Sequence, residues 1–179
     1  MTDAPPSRSR LSVTRRRVLL GTAMLGVLAG CSSLRDPVAG GSPDTSNETF
    51  EVTHTDAQWR QLLNPQQYQV LRNAGTEPPF SSPLNNEHRS GVFSCAGCGL
   101  DLFSSATKFD SGTGWPSFYQ ALDNAVVKRQ DTTLGMTRTE VLCRRCGGHL
   151  GHVFDDGPAP TGLRYCMNGV ALSFRPGAA

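Results

Sequence analysis

Two copies of Cys-x-x-Cys, each followed by glycine, constrain this chain more than any other feature. Phe93-Ser94-Cys95-Ala96-Gly97-Cys98-Gly99 and Leu142-Cys143-Arg144-Arg145-Cys146-Gly147-Gly148 read as two knuckle turns. A two-residue gap lets both sulfurs of a turn face one ion, and glycine allows the tight backbone. Four thiolates then complete the closed tetrahedral shell of structural zinc. Forty-four residues separate Cys98 from Cys143, more than the usual finger interval, but closure entropy grows only logarithmically with loop length. One zinc ion on Cys95, Cys98, Cys143 and Cys146 would join the halves of a small domain whose core alone is modest. Two disulfides are the alternative, one that an exported protein makes reasonable.

The chain has six cysteines. Four are accounted for above and Cys31 ends an apolar leader, which leaves Cys166 in Arg164-Tyr165-Cys166-Met167-Asn168-Gly169. A lone thiol beside polar groups, in a chain that otherwise commits its cysteines in pairs, marks a nucleophile or redox centre. A thiol reacts as thiolate and needs a neighbour that stabilises the anion or supplies a proton. His149 and His152 in His-Leu-Gly-His-Val-Phe fit that need; metal ligation is their other reading, but the cysteines already fill a shell. Trp115, in Gly114-Trp115-Pro116-Ser117-Phe118, is either core packing or part of the same site.

At 179 residues the chain suits one domain plus a targeting segment. The apolar run from Val18 to Gly30 is thirteen residues long, short of the roughly 20 a bilayer span needs and inside the range of signal-peptide cores. Residues 1–30 therefore read as a leader. Thr14-Arg15-Arg16-Arg17 looks like a twin-arginine export signal, and Leu28-Ala29-Gly30-Cys31 resembles a lipoprotein cleavage box. Export to the periplasm or cell envelope follows, with a lipid on Cys31 as the only membrane contact; an ordinary signal peptide with a stray cysteine is the alternative. Residues 31–49 are rich in Gly, Ser, Pro, Asp and Thr and read as a flexible tether. Beyond residue 30 the chain holds twelve basic and fourteen acidic residues, formally −2, so nucleic acid has little electrostatic support as a partner.

From residue 50 to about 175 one domain is expected. Thr55-Asp56-Ala57-Gln58 reads as a capping box ahead of Trp59, Leu62 and Leu63. Asn64-Pro65 starts a second short helix that carries Tyr68, Val70 and Leu71 and stops near Gly75. Short runs rich in Val, Phe, Leu and Thr follow, broken by Gly, Pro, Ser and Asn, which predicts antiparallel strands. The candidates are Val92–Ser94, Ala125–Val127, Thr137–Leu142, His152–Phe154 and one strand from Leu163 to Phe174. The expected class is mainly β, with helices confined to the N-terminal edge.

Read in order, Gly75-Thr76-Glu77-Pro78-Pro79-Phe80, Lys108-Phe109-Asp110-Ser111-Gly112, Gly114-Trp115-Pro116-Ser117-Phe118, the Cys-x-x-Cys pairs, His149-Leu150-Gly151-His152-Val153-Phe154 and Arg164-Tyr165-Cys166-x-Asn168 resemble the B-type methionine-R-sulfoxide reductases. The resemblance covers about Phe50 to Phe174. It implies a small domain of coiled antiparallel sheets (Mss4-like) around a structural zinc. It also implies reduction of the R epimer of methionine sulfoxide, in oxidised proteins or peptides, through a cysteine sulfenic acid. Carried onto this chain, Cys166 is the nucleophile and His152 the proton donor. His149 and Asn168 hold the polar part of the pocket, Trp115 forms an apolar wall for the substrate methyl, and Phe154 is its neighbour. Many members of that family place a second, resolving cysteine where Thr113 stands here. Direct reduction by an external thioredoxin-like thiol is therefore expected, with the protein a monomer. Two other classes compete: a zinc-ribbon binding module without catalysis, and a dithiol oxidoreductase working through its Cys-x-x-Cys pairs.

Overall fold

The computed structural model describes residues 49–178; the expected leader, Cys31 and nearly all of the tether lie outside them. Among the described residues no helix is long and apolar enough to cross a membrane.

Two helices open the domain where their caps dictate: α1 (Asp56–Leu62) and α2 (Pro65–Asn73). The Thr55 side chain accepts from the Gln58 N–H while the Gln58 side chain accepts from the Thr55 N–H. Asn64 and Gln67 repeat the arrangement, with Pro65 in the first turn, so both helices satisfy their orphan donors locally. Trp59, Leu63, Tyr68, Val70 and Leu71 are buried.

Among the described residues nine strands follow: β1 (Gly91–Cys95), β2 (Asp101–Ser104), β3 (Lys108–Phe109), β4 (Ser117–Phe118), β5 (Val126–Asp131), β6 (Arg138–Cys143), β7 (His149–Phe154), β8 (Arg164–Met167) and β9 (Leu172–Pro176). They pair antiparallel into a three-stranded sheet, β2-β1-β9, and a six-stranded sheet, β3-β4-β8-β7-β6-β5. The mainly β class expected above holds.

Cross-strand aromatic pairs join the sheets. Phe93 faces Phe103 in the small sheet and Phe118 faces Tyr165 in the large one, and the Phe103 and Phe118 rings stack with centroids 4.4 Å apart. Because side chains alternate along a strand, placing Tyr165 and Met167 in this core turns Arg164 and Cys166 to the opposite face. The Cys166 thiol thus stands on the outer face of the large sheet because of the aromatic core behind it.

The segment from Leu163 to Phe174 is not one strand. It divides into β8 and β9, which belong to different sheets, around a single 3-10 turn at Gly169–Ala171. The buried Glu77 carboxylate causes the break: Oε1 accepts from the Gly169 N–H at 2.5 Å and Oε2 from the Val170 N–H at 2.9 Å. Donors held there are not available to a sheet neighbour. Gly169 is required by crowding, since a Cβ would come within 1.9 Å of Ser82 Oγ.

Candidate active site

Strand register gathers the site. Ser117 pairs with Cys166, Cys166 with His152, His152 with Glu140 and Glu140 with Arg129. Directly opposed residues share a face, so these five form one row across five strands. Cys166 sits inside that row, flanked by a hydroxyl and an imidazole.

Cys166 is a half-buried free thiol. Its Sγ lies 3.8 Å from Thr113 Oγ1. Ser111 Oγ hydrogen-bonds both Thr113 Oγ1, at 2.8 Å, and Ser117 Oγ, at 2.7 Å, so three hydroxyls form a chain from Ser117 through Ser111 and Thr113 to the sulfur. Burial pushes the Cys166 thiol above its usual value, while the Thr113 hydroxyl and the Arg164 guanidinium pull the other way. Arg164 is itself held by Asp156 through two bonds of 2.8 Å and lies over the Phe154 ring, 4.5 Å from its centroid.

His149 and His152 are three positions apart, an odd spacing that would put them on opposite faces of a regular strand. A register shift, with Leu142 opposite His149 and Val141 opposite Gly151, inserts Leu150 as the extra residue and turns both imidazoles to one face; their ring centroids are 5.4 Å apart. Gly151 permits the close approach of β8, because a Cβ there would lie 2.1 Å from the Cys166 carbonyl oxygen.

Each imidazole has its own carboxylate and each carboxylate its own arginine. His149 Nδ1 donates to Glu140 Oε1 at 2.6 Å, and Arg129 holds Glu140 Oε2. His152 Nε2 donates to Asp131 Oδ2 at 2.8 Å, and Arg138 holds the same oxygen at 2.7 Å. Burial pushes Glu140 up, but hydrogen bonds from His149 and Arg129 outweigh it and leave the carboxyl below its ordinary value. Burial lowers His152, against the Asp131 hydrogen bond, which raises it. Buried His149 Nε2 has no partner among the described residues, a nitrogen suited to meet a polar ligand or water.

The remaining sequence candidates lie outside this row of five residues. Trp115 is half-buried, donates Nε1–H to the Glu77 carbonyl at 3.1 Å, and lines a hollow of about 120 Å³ with Phe80, Phe109 and Gly114. Asn168 is buried, and its side chain is spent on main chain: Oδ1 accepts from the Glu77 N–H and Nδ2 donates to the Leu150 carbonyl. Phe154 stands 6.5 Å from the His152 ring. A larger hollow, about 660 Å³ between α2 and β9, contains neither Cys166 nor either histidine, so volume alone points away from the chemistry.

The other four described cysteines converge elsewhere. The Sγ atoms of Cys95, Cys98, Cys143 and Cys146 all lie within 4.8 Å of one another, with Cys95–Cys146 at 3.7 Å and Cys98–Cys143 at 3.5 Å. A disulfide needs about 2.05 Å; a tetrahedral shell at about 2.3 Å per Zn–S bond needs sulfurs nearly 3.8 Å apart. The cluster is therefore a cage suited to a metal such as zinc.

Sequence reading missed Arg164, Asp131, Glu140 and Glu77 as parts of this site. For Arg164 the signal was present: two residues from Cys166, it shares a strand face. The carboxylates were hidden, because which histidine meets which acid depends on the bulge at Leu150.

The SelR domain model matches residues 63–176. The chain is 62% identical over 123 residues to the peptide methionine sulfoxide reductase MsrB of Thiobacillus denitrificans, covering 68% of this chain and 93% of that one. It is 56% identical over 127 residues to the Pseudomonas putida protein of that name, covering 70% and 97%. With the Methanosarcina barkeri protein, also so named, identity is 55% over 125 residues, covering 69% and 88%.

Proposed function

The chain belongs to the SelR family of peptide methionine sulfoxide reductases and reduces the R epimer of methionine sulfoxide to methionine, and from this premise we propose that Cys166 is the nucleophile and His152 the acid. The Cys166 sulfur attacks the sulfoxide sulfur, so that a sulfur–sulfur bond forms as the S–O bond breaks and the protonated oxygen leaves as water; water then attacks the Cys166 sulfur, the sulfur–sulfur bond breaks, and methionine leaves with Cys166 as sulfenic acid. Oxygen transfer of this kind needs the oxygen protonated as the bond weakens, so an acid must stand within about 3 Å of it. With His152 Nε2–H fixed on Asp131, Nδ1 is the nitrogen that takes the proton from Cys166 and passes it to the substrate oxygen. His149 Nε2, without a partner among the described residues, receives the polar end of the substrate directly or through water. The Trp115 indole faces the S-methyl, with Phe154 beside it. An imidazole side and an indole side select orientation and so the sulfur epimer. Asn168 acts through its main-chain bonds, tying β8 to the segment that carries Glu77.

The sulfenic acid is cleared by two equivalents of external thiol, which leave as a disulfide with one water released. A thioredoxin-like protein fits that role. Thr113 occupies the place of a resolving cysteine, and the described cysteines other than Cys166 are gathered in the cage. Zinc in that cage holds the two knuckle turns together and takes no part in oxygen transfer. The leader, residues 1–30, exports the chain, and Cys31 carries the lipid at the start of a tether ending near residue 49. The mass of the mature N-terminal peptide checks that reading; an unmodified Cys31 peptide would contradict it.

The observation that carries the mechanism is a free thiol in register with His152 while the other described cysteines are locked together. Turnover of each sulfoxide epimer with dithiothreitol tests it, wild type against Cys166→Ser. Activity on the R epimer alone, lost in the variant, is expected; activity confined to the S epimer, or retained without Cys166, contradicts it.

A further inference from the structure

One element of the sequence pattern has no place in the reaction: Glu77, inside Gly75-Thr76-Glu77-Pro78-Pro79-Phe80. Its side chain is 9% exposed, and among the described residues no Lys, Arg or His pairs with it. A carboxylate removed from water without a cation is costly, and a neutral acceptor could cap a turn at less expense. Stability alone is therefore a poor reason for it.

Its contacts supply a better one. The carboxylate accepts from the Gly169 and Val170 N–H groups, three and four residues after Cys166. Its own N–H donates to Asn168 Oδ1 at 2.9 Å, and its carbonyl accepts the Trp115 indole N–H at 3.1 Å. Four hydrogen bonds from one residue thus reach both sides of the substrate space: the end of the strand that carries the thiol, and the indole. The Trp115 segment has a second tie to β8, from Met167 N–H to the Pro116 carbonyl at 3.0 Å, but that bond sets the backbone and leaves the ring free to turn. We infer that Glu77 is a positioning residue: its carboxylate anchors it to the turn behind Cys166, and its carbonyl, so anchored, sets the orientation of the Trp115 ring relative to the sulfur.

This inference rests on the reading of Cys166 as nucleophile and Trp115 as substrate wall. If Glu77 acts through the indole, loosening it weakens methyl binding in ground and transition states alike, which raises KM and spares kcat. Glu77→Gln keeps the shape and one acceptor but loses the charge and the second acceptor. With zinc content and melting confirming a folded chain, KM for a methionine-R-sulfoxide peptide should rise about 5- to 10-fold with kcat within about twofold.

A double-mutant cycle separates positioning from simple destabilisation. Added to Trp115→Phe, which already lacks the indole N–H, Glu77→Gln should cost less than about twofold more in kcat/KM. The emission difference between each chain and its Trp115→Phe counterpart isolates this indole from Trp59, and Glu77→Gln should make it redder and more open to acrylamide. Unchanged KM in folded Glu77→Gln, losses that multiply in full with Trp115→Phe, or an unaltered indole signal would each overturn the assignment. The indole measurement needs no turnover, so it decides the matter even where wild-type activity fails and the functional reading falls with it.

Discussion

Cys98 and Cys166 are both half-buried, yet their surroundings give them opposite fates. Around Cys98 stand three other sulfurs in a cage closed by glycine-bearing turns. Around Cys166 stand the Thr113 hydroxyl, the Arg164 guanidinium and, across the strand, His152. Exposure does not distinguish the two thiols; their neighbours do. A sulfur among sulfurs is suited to hold a metal, whereas one among donors is suited to become an anion.

The same substitution in the two regions breaks or confirms that contrast. Cys143→Ser removes a fully buried member of the cage. Structural zinc contributes about 10–16 kcal/mol in small zinc peptides, comparable with the roughly 5–15 kcal/mol stability of a whole domain. The variant should lose its zinc and its cooperative melting transition together. Cys166→Ser should lose all measurable turnover yet keep its zinc and melt within about 2 °C of wild type. A zinc-free Cys166→Ser, or a Cys143→Ser that stays folded and loaded, would erase the distinction.

A smaller effect tests the donors around the lone sulfur. His152→Gln should lower kcat/KM by about 10²- to 10⁴-fold, the usual contribution of a positioned general acid. Asp131→Ala leaves the imidazole in place but frees it from the carboxylate and from Arg138, so a loss nearer tenfold is expected. Should Asp131→Ala match His152→Gln in severity, the carboxylate would itself be moving the proton and the roles would need to be exchanged.

The ease with which these regions could be read from sequence follows the distance over which each is determined. The cage was readable because each knuckle is local: two cysteines, two spacers and a glycine fix the turn. Both helices were readable for the same reason, since Thr55, Gln58, Asn64 and Gln67 make their caps within three residues. The strand after Leu163 was misread because its apolar run continues unbroken, while the carboxylate that interrupts it comes from Glu77, more than ninety positions away. Strands β2, β3 and β4 were absent from the strand expectation because two to four residues carry too little alternation to read. Likewise, the roles of Asp131 and Glu140 depend on an extra residue in β7 that no local pattern announces.

The smallest effect concerns Thr113 and is read best as a pH profile. Burial raises the Cys166 thiol above its ordinary 9.0, against Thr113 and Arg164, with Asp156 raising it slightly. Burial also lowers His152 below its ordinary 6.5, with Arg138 and His149 adding to that and Asp131 opposing it. Between those two values the resting site is thiol with neutral imidazole. The reactive pair, thiolate with imidazolium, holds the same number of protons, so its fraction does not change with pH in that window. Hence kcat/KM should run level, falling on the acid side only below 6.5 and on the alkaline side only above 9.0. Thr113→Val removes a hydroxyl that favours the thiolate. The alkaline limb should then move to still higher pH and the level portion should drop by less than about tenfold, the scale of one hydrogen bond to a charged group. A limb that stays put, or moves down, would show that the hydroxyl chain of Ser111, Thr113 and Ser117 does not reach the reacting sulfur.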